Sequence, residues 1–284
     1  MSVSGLSYDV LVSGLAPVRG DALPNGDPPH WSPLSHTLIH GRQTAALVDP
    51  PITRAQTDAL GDWIETHGRA LTHICITHWH ADHWLGATQL VQRFPEARVF
   101  SSPATVERIR AAVADGSVHP LWSALFGDEL ADNAAQIQIE AAPSDGFDLE
   151  GHELIPVEAG HSDTDDTTVL HVPSLGLVVA GDVVYNNVHQ YLAETPNGGS
   201  EAWHQALDIV AGLKPGAVVA GHKDHTRPDR PSDMDETRRY LDDITALLQT
   251  APTRQAFFDE TLRRYPGRVN PYTVWLNGLR LLET

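Results

Sequence analysis

At 284 residues the chain can form one large domain or two small ones, and its 41% hydrophobic content is sufficient for a sizeable core. No apolar run approaches the length needed to cross a bilayer, which argues against a membrane role, and the single cysteine excludes an internal disulfide. The 37 acidic against 19 basic residues give a formal charge of −18, a surface that repels phosphate backbones and so favours a small-molecule substrate over nucleic acid.

The first eight residues contain no basic segment followed by a long apolar stretch, so a cytoplasmic location is expected. Residues 8–15 read as a first strand. Residues 16–33, rich in Pro, Gly and Asp, read as a loop in which His30 and Trp31 either touch substrate or cover the core. Residues 36–40 and 44–48 form a hairpin around Gly41-Arg42. Thr53 then caps a helix to about Thr66, with Ala59, Leu60, Trp63 and Ile64 at helical spacing.

Ile74-Cys75-Ile76 reads as a buried strand, with Cys75 as a small core residue rather than a nucleophile. It runs directly into Thr77-His78-Trp79-His80-Ala81-Asp82-His83-Trp84, where three imidazoles and a carboxylate fall within six residues. Along an extended segment His78 and His80 point to the same side. A helical period begins near His83, with Trp84, Ala87, Leu90, Val91 and Phe94 suited to an inward face. A turn between strand and helix therefore aims His78 and His80 at one point, and Asp82 and His83 at a neighbouring one. Neutral imidazole and carboxylate suit zinc and similar first-row cations.

Farther on, residues 97–100 read as a short strand and residues 103–114 as a helix opened by Pro103. Residues 117–133 are less regular and carry Trp122, Leu125 and Phe126, as either a lid or an insertion packed on the core. Strands are expected over 137–141, 147–149 and 153–157. A hairpin over 167–172 and 175–180 turns at Pro173-Ser174. A helix over 201–213, a last strand over 217–220 and three helices over 235–249, 253–264 and 271–282 complete the chain. No internal repeat interrupts this order.

The His78-x-His80-x-Asp82-His83 motif resembles that of the metallo-β-lactamase superfamily. The resemblance implies three further ligands, each on a loop after a later strand and each preceded by glycine: His161 in Gly160-His161-Ser162, Asp182 in Gly181-Asp182 and His222 in Gly221-His222. It implies an α/β fold, a four-layer αββα sandwich, over residues 1–230; the helices of residues 231–284 read as an α-helical C-terminal extension that packs on the same domain, contributes to the substrate wall or makes a homodimer contact. Two divalent ions are implied, zinc first, with iron or manganese as alternatives. His78, His80 and His161 would hold one, Asp82, His83 and His222 the other, and Asp182 would bridge them. Asp49 occupies the place of an aspartate that supports the metal loop.

The implied activity is a metallo-hydrolase in which a hydroxide shared by the ions cleaves a small ester, lactone, thioester or amide, with Asp82 orienting it or shuttling its proton. Tyr185, three residues after Asp182, resembles a tyrosine of the acyl-homoserine-lactone lactonases and is a catalytic candidate that would bind the substrate carbonyl. Lys223 could meet a substrate anion, and His189 and His225 could assist. Residues 162–166 form a polar loop expected to support the His ligands. A mononuclear-iron sulfur dioxygenase and a phosphodiesterase or nuclease of the same fold are the competing readings.

Overall fold

The computed structural model describes residues 5–131, 134–196 and 198–282; Asp132 and Asn133, which close the irregular segment expected over 117–133, lie outside these. The first half builds a six-stranded sheet in sequential order, β1 (Ser7–Ser13), β2 (Leu34–His40), β3 (Thr44–Val48), β4 (Ala70–Cys75), β5 (Arg98–Ser101) and β6 (Ile139–Ala141). The first three strands are antiparallel, and β3 to β6 run parallel. Parallel pairing needs long crossovers. These contain the helices α1 (Arg54–Thr66), α2 (Ala87–Arg93), α3 (Pro103–Ala114) and α4 (His119–Phe126). The Thr53 side chain accepts the Gln56 N–H at the start of α1, and Ser102 accepts that of Thr105 in α3.

The second half forms a five-stranded sheet from β7 (Phe147–Leu149), β8 (His152–Gly160), β9 (Thr167–Val172), β10 (Leu177–Val179) and β11 (Ala217–Val219), ordered β11-β10-β9-β8-β7. It is antiparallel except for the β10–β11 pair, whose crossover carries α5 (Gly199–Gly212).

Alternation along the strands generates the layers. In β3, Ala45 and Leu47 pack outward with Leu60 and Ile64 of α1 and Ile109 of α3. Ala46 and Val48 face inward, in one cluster with Leu170, Val172 and Val179 of the second sheet. Val178 of β10 faces the opposite way, toward Trp203 and Leu207 of α5 and Leu241 of α6 (Asp233–Thr250). Three buried clusters thus separate helices, two sheets and helices, an αββα sandwich. The helices α7 (Arg254–Arg264) and α8 (Pro271–Leu282) extend the outer cluster through Phe257, Phe258 and Val274. Among the described residues no helix is long and apolar enough to cross a membrane.

Two departures from the sequence expectation bear on the site. The helix expected from His83 begins only at Ala87, because Ala81–His83 takes a single 3-10 turn and the Gly86 N–H is drawn to the Pro51 carbonyl. The irregular stretch near 117–126 contains α4, whose Trp122 meets Trp31 edge-on at 4.8 Å between ring centroids. That contact ties the segment to the loop before β2.

Candidate metal centre

The strands β3, β4, β8, β10 and β11 end at the same rim, and the chain that leaves each one carries the polar residues. Asp49 follows β3, Thr77 to His83 follow β4, Asp163 follows β8, Asp182 follows β10 and His222 follows β11. Scaffold strands hold short loops in place, which is how residues far apart in sequence can meet.

Two neighbouring clusters result. His78, His80 and Asp163 present one ligand atom each within 4.8 Å of one another, and so do Asp82, His83 and His222. Asp163 Oδ2 lies 2.7 Å from His80 Nδ1 and 3.7 Å from His78 Nε2. In the second cluster Asp82 Oδ2 lies 3.9 Å from His83 Nε2 and 3.6 Å from His222 Nε2. Asp182 stands between the clusters. Its Oδ1 is 3.4 Å from His83 Nε2 and its Oδ2 3.2 Å from His222 Nε2, and it also groups with His78 and His83. Gly221 makes this approach possible, since a Cβ there would sit 2.1 Å from Asp182 Oδ1.

The outward nitrogen of each imidazole is occupied. His78 Nδ1 pairs with Thr77 Oγ1 at 3.0 Å, His80 Nε2 with Glu194 at 3.0 Å, His83 Nδ1 with Asp49 at 2.9 Å and His222 Nδ1 with the Pro33 carbonyl at 2.8 Å. An outer partner of this kind fixes ring orientation and leaves the inner nitrogen as a lone-pair donor. The carboxylates are held too, Asp82 by the Trp31 indole N–H at 2.7 Å and Asp182 by the Tyr185 hydroxyl at 2.7 Å.

This arrangement fits cations. His78 Nε2, His83 Nε2 and Asp182 Oδ1 are buried and have no hydrogen-bond partner, a costly state for polar atoms unless something electrophilic lies between them. The electrostatics agree. Burial opposes a charge on His83, but Asp182, Asp49 and Asp82 outweigh it and raise its pKa to about 10. A field that strongly favours positive charge on a buried imidazole also favours a divalent cation. Burial, reinforced by His83, lowers His78 to about 4, so this ring is a neutral donor at physiological pH.

His161 is not among these groups. It follows Gly160 at φ +84°, its Nδ1 pairs with Asp165 at 2.7 Å and its Nε2 lies against Gly199, where a Cβ would be 2.7 Å away. Asp163 groups with His78 and His80 instead, and His161 Nε2 is likewise buried without a hydrogen-bond partner. Tyr185 also differs from expectation: it is buried, its hydroxyl is given to Asp182, and it does not line the pocket above the site. Burial and the Asp182 charge hold that phenol well above its ordinary pKa, so it remains a donor.

Lys223 is buried and paired with Asp229 rather than presented to a substrate. His189 is buried against the Tyr240 hydroxyl at 2.7 Å, and burial lowers it to about 3; His225 is exposed. Cys75 is buried in the inter-sheet core, and burial pushes its thiol up to about 12, which makes it inert. The sequence reading missed Glu194, which joins His80 to Thr164 from a loop with no local pattern. It placed Asp163 among supporting residues, whereas the structure groups it with His78 and His80.

Asp49 carries the heaviest supporting role. It sits at φ +54°, a left-handed conformation that aspartate tolerates better than most residues. Its carboxylate receives the Thr77 N–H at 2.8 Å, the Thr77 hydroxyl at 2.7 Å and the His83 ring. Asp49→Ala is expected to weaken metal binding by about 10–100-fold, the usual cost of losing an outer partner, in competition with a chelating dye. Unchanged affinity would mean that His83 holds its orientation without this contact.

The sequence profile of the metallo-beta-lactamase superfamily matches residues 31–222, a span that contains every donor above and stops short of α6 to α8. A metallo-beta-lactamase type 2 from Bacteroides fragilis is 25% identical over 197 residues, covering 68% of this chain and 70% of that protein. A hydroxyacylglutathione hydrolase from Synechococcus sp. (strain CC9902) is 26% identical over 211 residues, covering 70% and 72%. Among solved structures, a metallo-beta-lactamase from Pontibacter korlensis superposes with a TM-score of 0.59 at 20% identity, covering 85% of this chain and 97% of that one. FIM-1 from Pseudomonas aeruginosa, in its mono-zinc form, gives 0.57 at 16% identity, covering 86% and 93%.

Proposed function

Because this chain belongs to the metallo-beta-lactamase superfamily of metallo-hydrolases, we propose that it cleaves a small ester, lactone, thioester or amide with the help of two divalent ions. The observation that carries this reading is the set of seven inward donors, in two clusters that share Asp182. His78, His80 and Asp163 would hold one ion, Asp82, His83 and His222 the other, with Asp182 between. Zinc suits four imidazoles and three carboxylates, and the oxygen content also admits manganese or iron. Bound ions would lower the pKa of water and polarise an acyl oxygen.

The protein's own groups then have distinct tasks. Asp82 lines the pocket and is fixed by Trp31, so it can hold or pass the proton of an attacking water. Glu194 fixes the tautomer of His80, and Tyr185 fixes the rotamer of Asp182. The pocket opens to solvent between Trp31, Trp79, Trp122 and Tyr191, a setting suited to a small acyl compound. The two relatives named above are called a metallo-beta-lactamase and a hydroxyacylglutathione hydrolase, which supports hydrolysis of an acyl bond as the reaction class.

One observation favours a second reading. With Asp163 in place of His161, the first cluster is a two-histidine, one-carboxylate set, the donor set of non-haem iron(II) oxygenases. One experiment separates the two. Protein stripped of metal and reloaded with zinc, manganese or iron is assayed on 4-nitrophenyl esters, lactones, thioesters, β-lactams and bis(4-nitrophenyl) phosphate, with oxygen uptake recorded on a persulfide. The hydrolase reading expects acyl hydrolysis, two ions per chain and no oxygen uptake. Iron-dependent oxygen consumption without hydrolysis would replace it with the second reading.

A further inference from the structure

The pocket over the metal centre has an apolar wall and a single cation. Trp31, Trp79, Leu121, Trp122, Tyr191 and Leu276 supply the wall, and Arg280, in the last turn of α8, is the one lysine or arginine among the residues that line it. The side chain is exposed, and among the described residues it has no ion pair, hydrogen bond or ring contact. Arginines such as Arg93, Arg98, Arg238 and Arg263 are paired with carboxylates, whereas Arg280 is not. An arginine left unpaired on such an acidic surface, at the mouth of a pocket, is available to a ligand.

Charge bookkeeping points the same way. The pocket is also lined by Asp82, Asp163, Asp182 and Glu194. Two divalent ions would balance these four carboxylates, which leaves Arg280 as the uncompensated charge. With an ionised water between the ions, such a pocket would be near neutral while the surrounding surface is negative, and Arg280 would be its one positive side chain. Such a cleft focuses the field on a monoanion and disfavours a neutral competitor. A guanidinium is planar and binds carboxylates in two-point fashion, and the aromatic wall suits a flat apolar body.

We propose that Arg280 is the anchor for a carboxylate on the substrate, so that the site takes an apolar or aromatic acyl compound bearing one carboxylate. The proposal deepens the hydrolase reading, but binding alone can test it. Full-length metal-loaded protein is titrated with 2-naphthoate and with neutral 2-naphthamide, and quenching of the pocket tryptophans is followed. The carboxylate is expected to bind at least about tenfold more tightly, the scale of one charge-assisted hydrogen bond. Arg280→Met is expected to bring naphthoate to the level of naphthamide, and Arg280→Lys to restore part of the difference.

Equal affinity for the two probes would overturn the proposal. So would a naphthoate preference that survives in Arg280→Met, since the carboxylate would then be held by the ions. In turnover, Arg280→Met is expected to raise KM for the 4-nitrophenyl half-ester of glutaric acid about tenfold with little change in kcat. If neither that half-ester nor 4-nitrophenyl butyrate is hydrolysed, the hydrolase reading loses ground, while the fluorescence titration still decides the role of Arg280.

Discussion

Asp163→Ala is expected to lower kcat/KM by about 10²–10³-fold, the range for removing a group that stabilises charge in the transition state, and to cost one of the two bound ions. His161→Ala is expected to leave both quantities within about threefold, as for a residue without contact to the reacting atoms. The contrast follows from two side chains two residues apart. Asp163 is buried and meets His80 at 2.7 Å, whereas His161 faces Asp165 and Gly199. Elemental analysis of the two variants with steady-state kinetics decides the matter. If His161→Ala loses the ion and Asp163→Ala keeps it, the loop after β8 must turn over when metal binds.

The same loop shows where residue order stops being informative. The elements themselves were legible: α3, α8, β7 and β9 match their expected spans, and strand alternation alone divides Ala45 and Leu47 from Ala46 and Val48. The cluster from His78 to His83 was legible because four ligand-type residues sit on one short turn, and local geometry alone brings them together. Asp182 and His222 were legible as strand-end residues behind a glycine.

The β8 loop obeys a different control. Its register against β9 shifts between Glu158 and Gly160, and a shift of one residue sends each side chain to the opposite face. The Ser162 N–H then closes a tight turn on the Thr164 carbonyl, and the Ser162 hydroxyl pairs with Thr167. A glycine followed by a histidine gives no measure of that shift. Glu194, and the partner that Trp31 finds in Asp82, were hidden for a simpler reason. They reach the centre from 114 and 51 residues away in sequence, through contacts that only the packed fold creates.

Asp182→Ala is expected to abolish measurable turnover and to reduce occupancy of the second ion, with the fold kept. Its carboxylate is the only one in contact with both His83 and His222 nitrogens at 3.4 Å or less among the described residues, and it also groups with His78. Gly181 and Gly221 leave the backbone beside it bare, so these two positions offer no side chain to replace it. The fold should persist because the His83 ring can give up its charge once Asp182 is gone, while Asp49 and Asp82 still face it. Tyr185→Phe provides the graded comparison. It deletes one hydrogen bond to Asp182 Oδ2 and leaves the ring packed against Trp203, so a loss of about 10–100-fold is expected, as for an outer partner. A tyrosine that itself stabilised the substrate oxygen would show its loss mainly in kcat with metal content unchanged. One that orients Asp182 should shift metal affinity and kcat together, so a chelator titration of Tyr185→Phe beside its kinetics separates the two roles. Full activity in Asp182→Ala would dissolve the shared-carboxylate arrangement and leave each cluster to act alone.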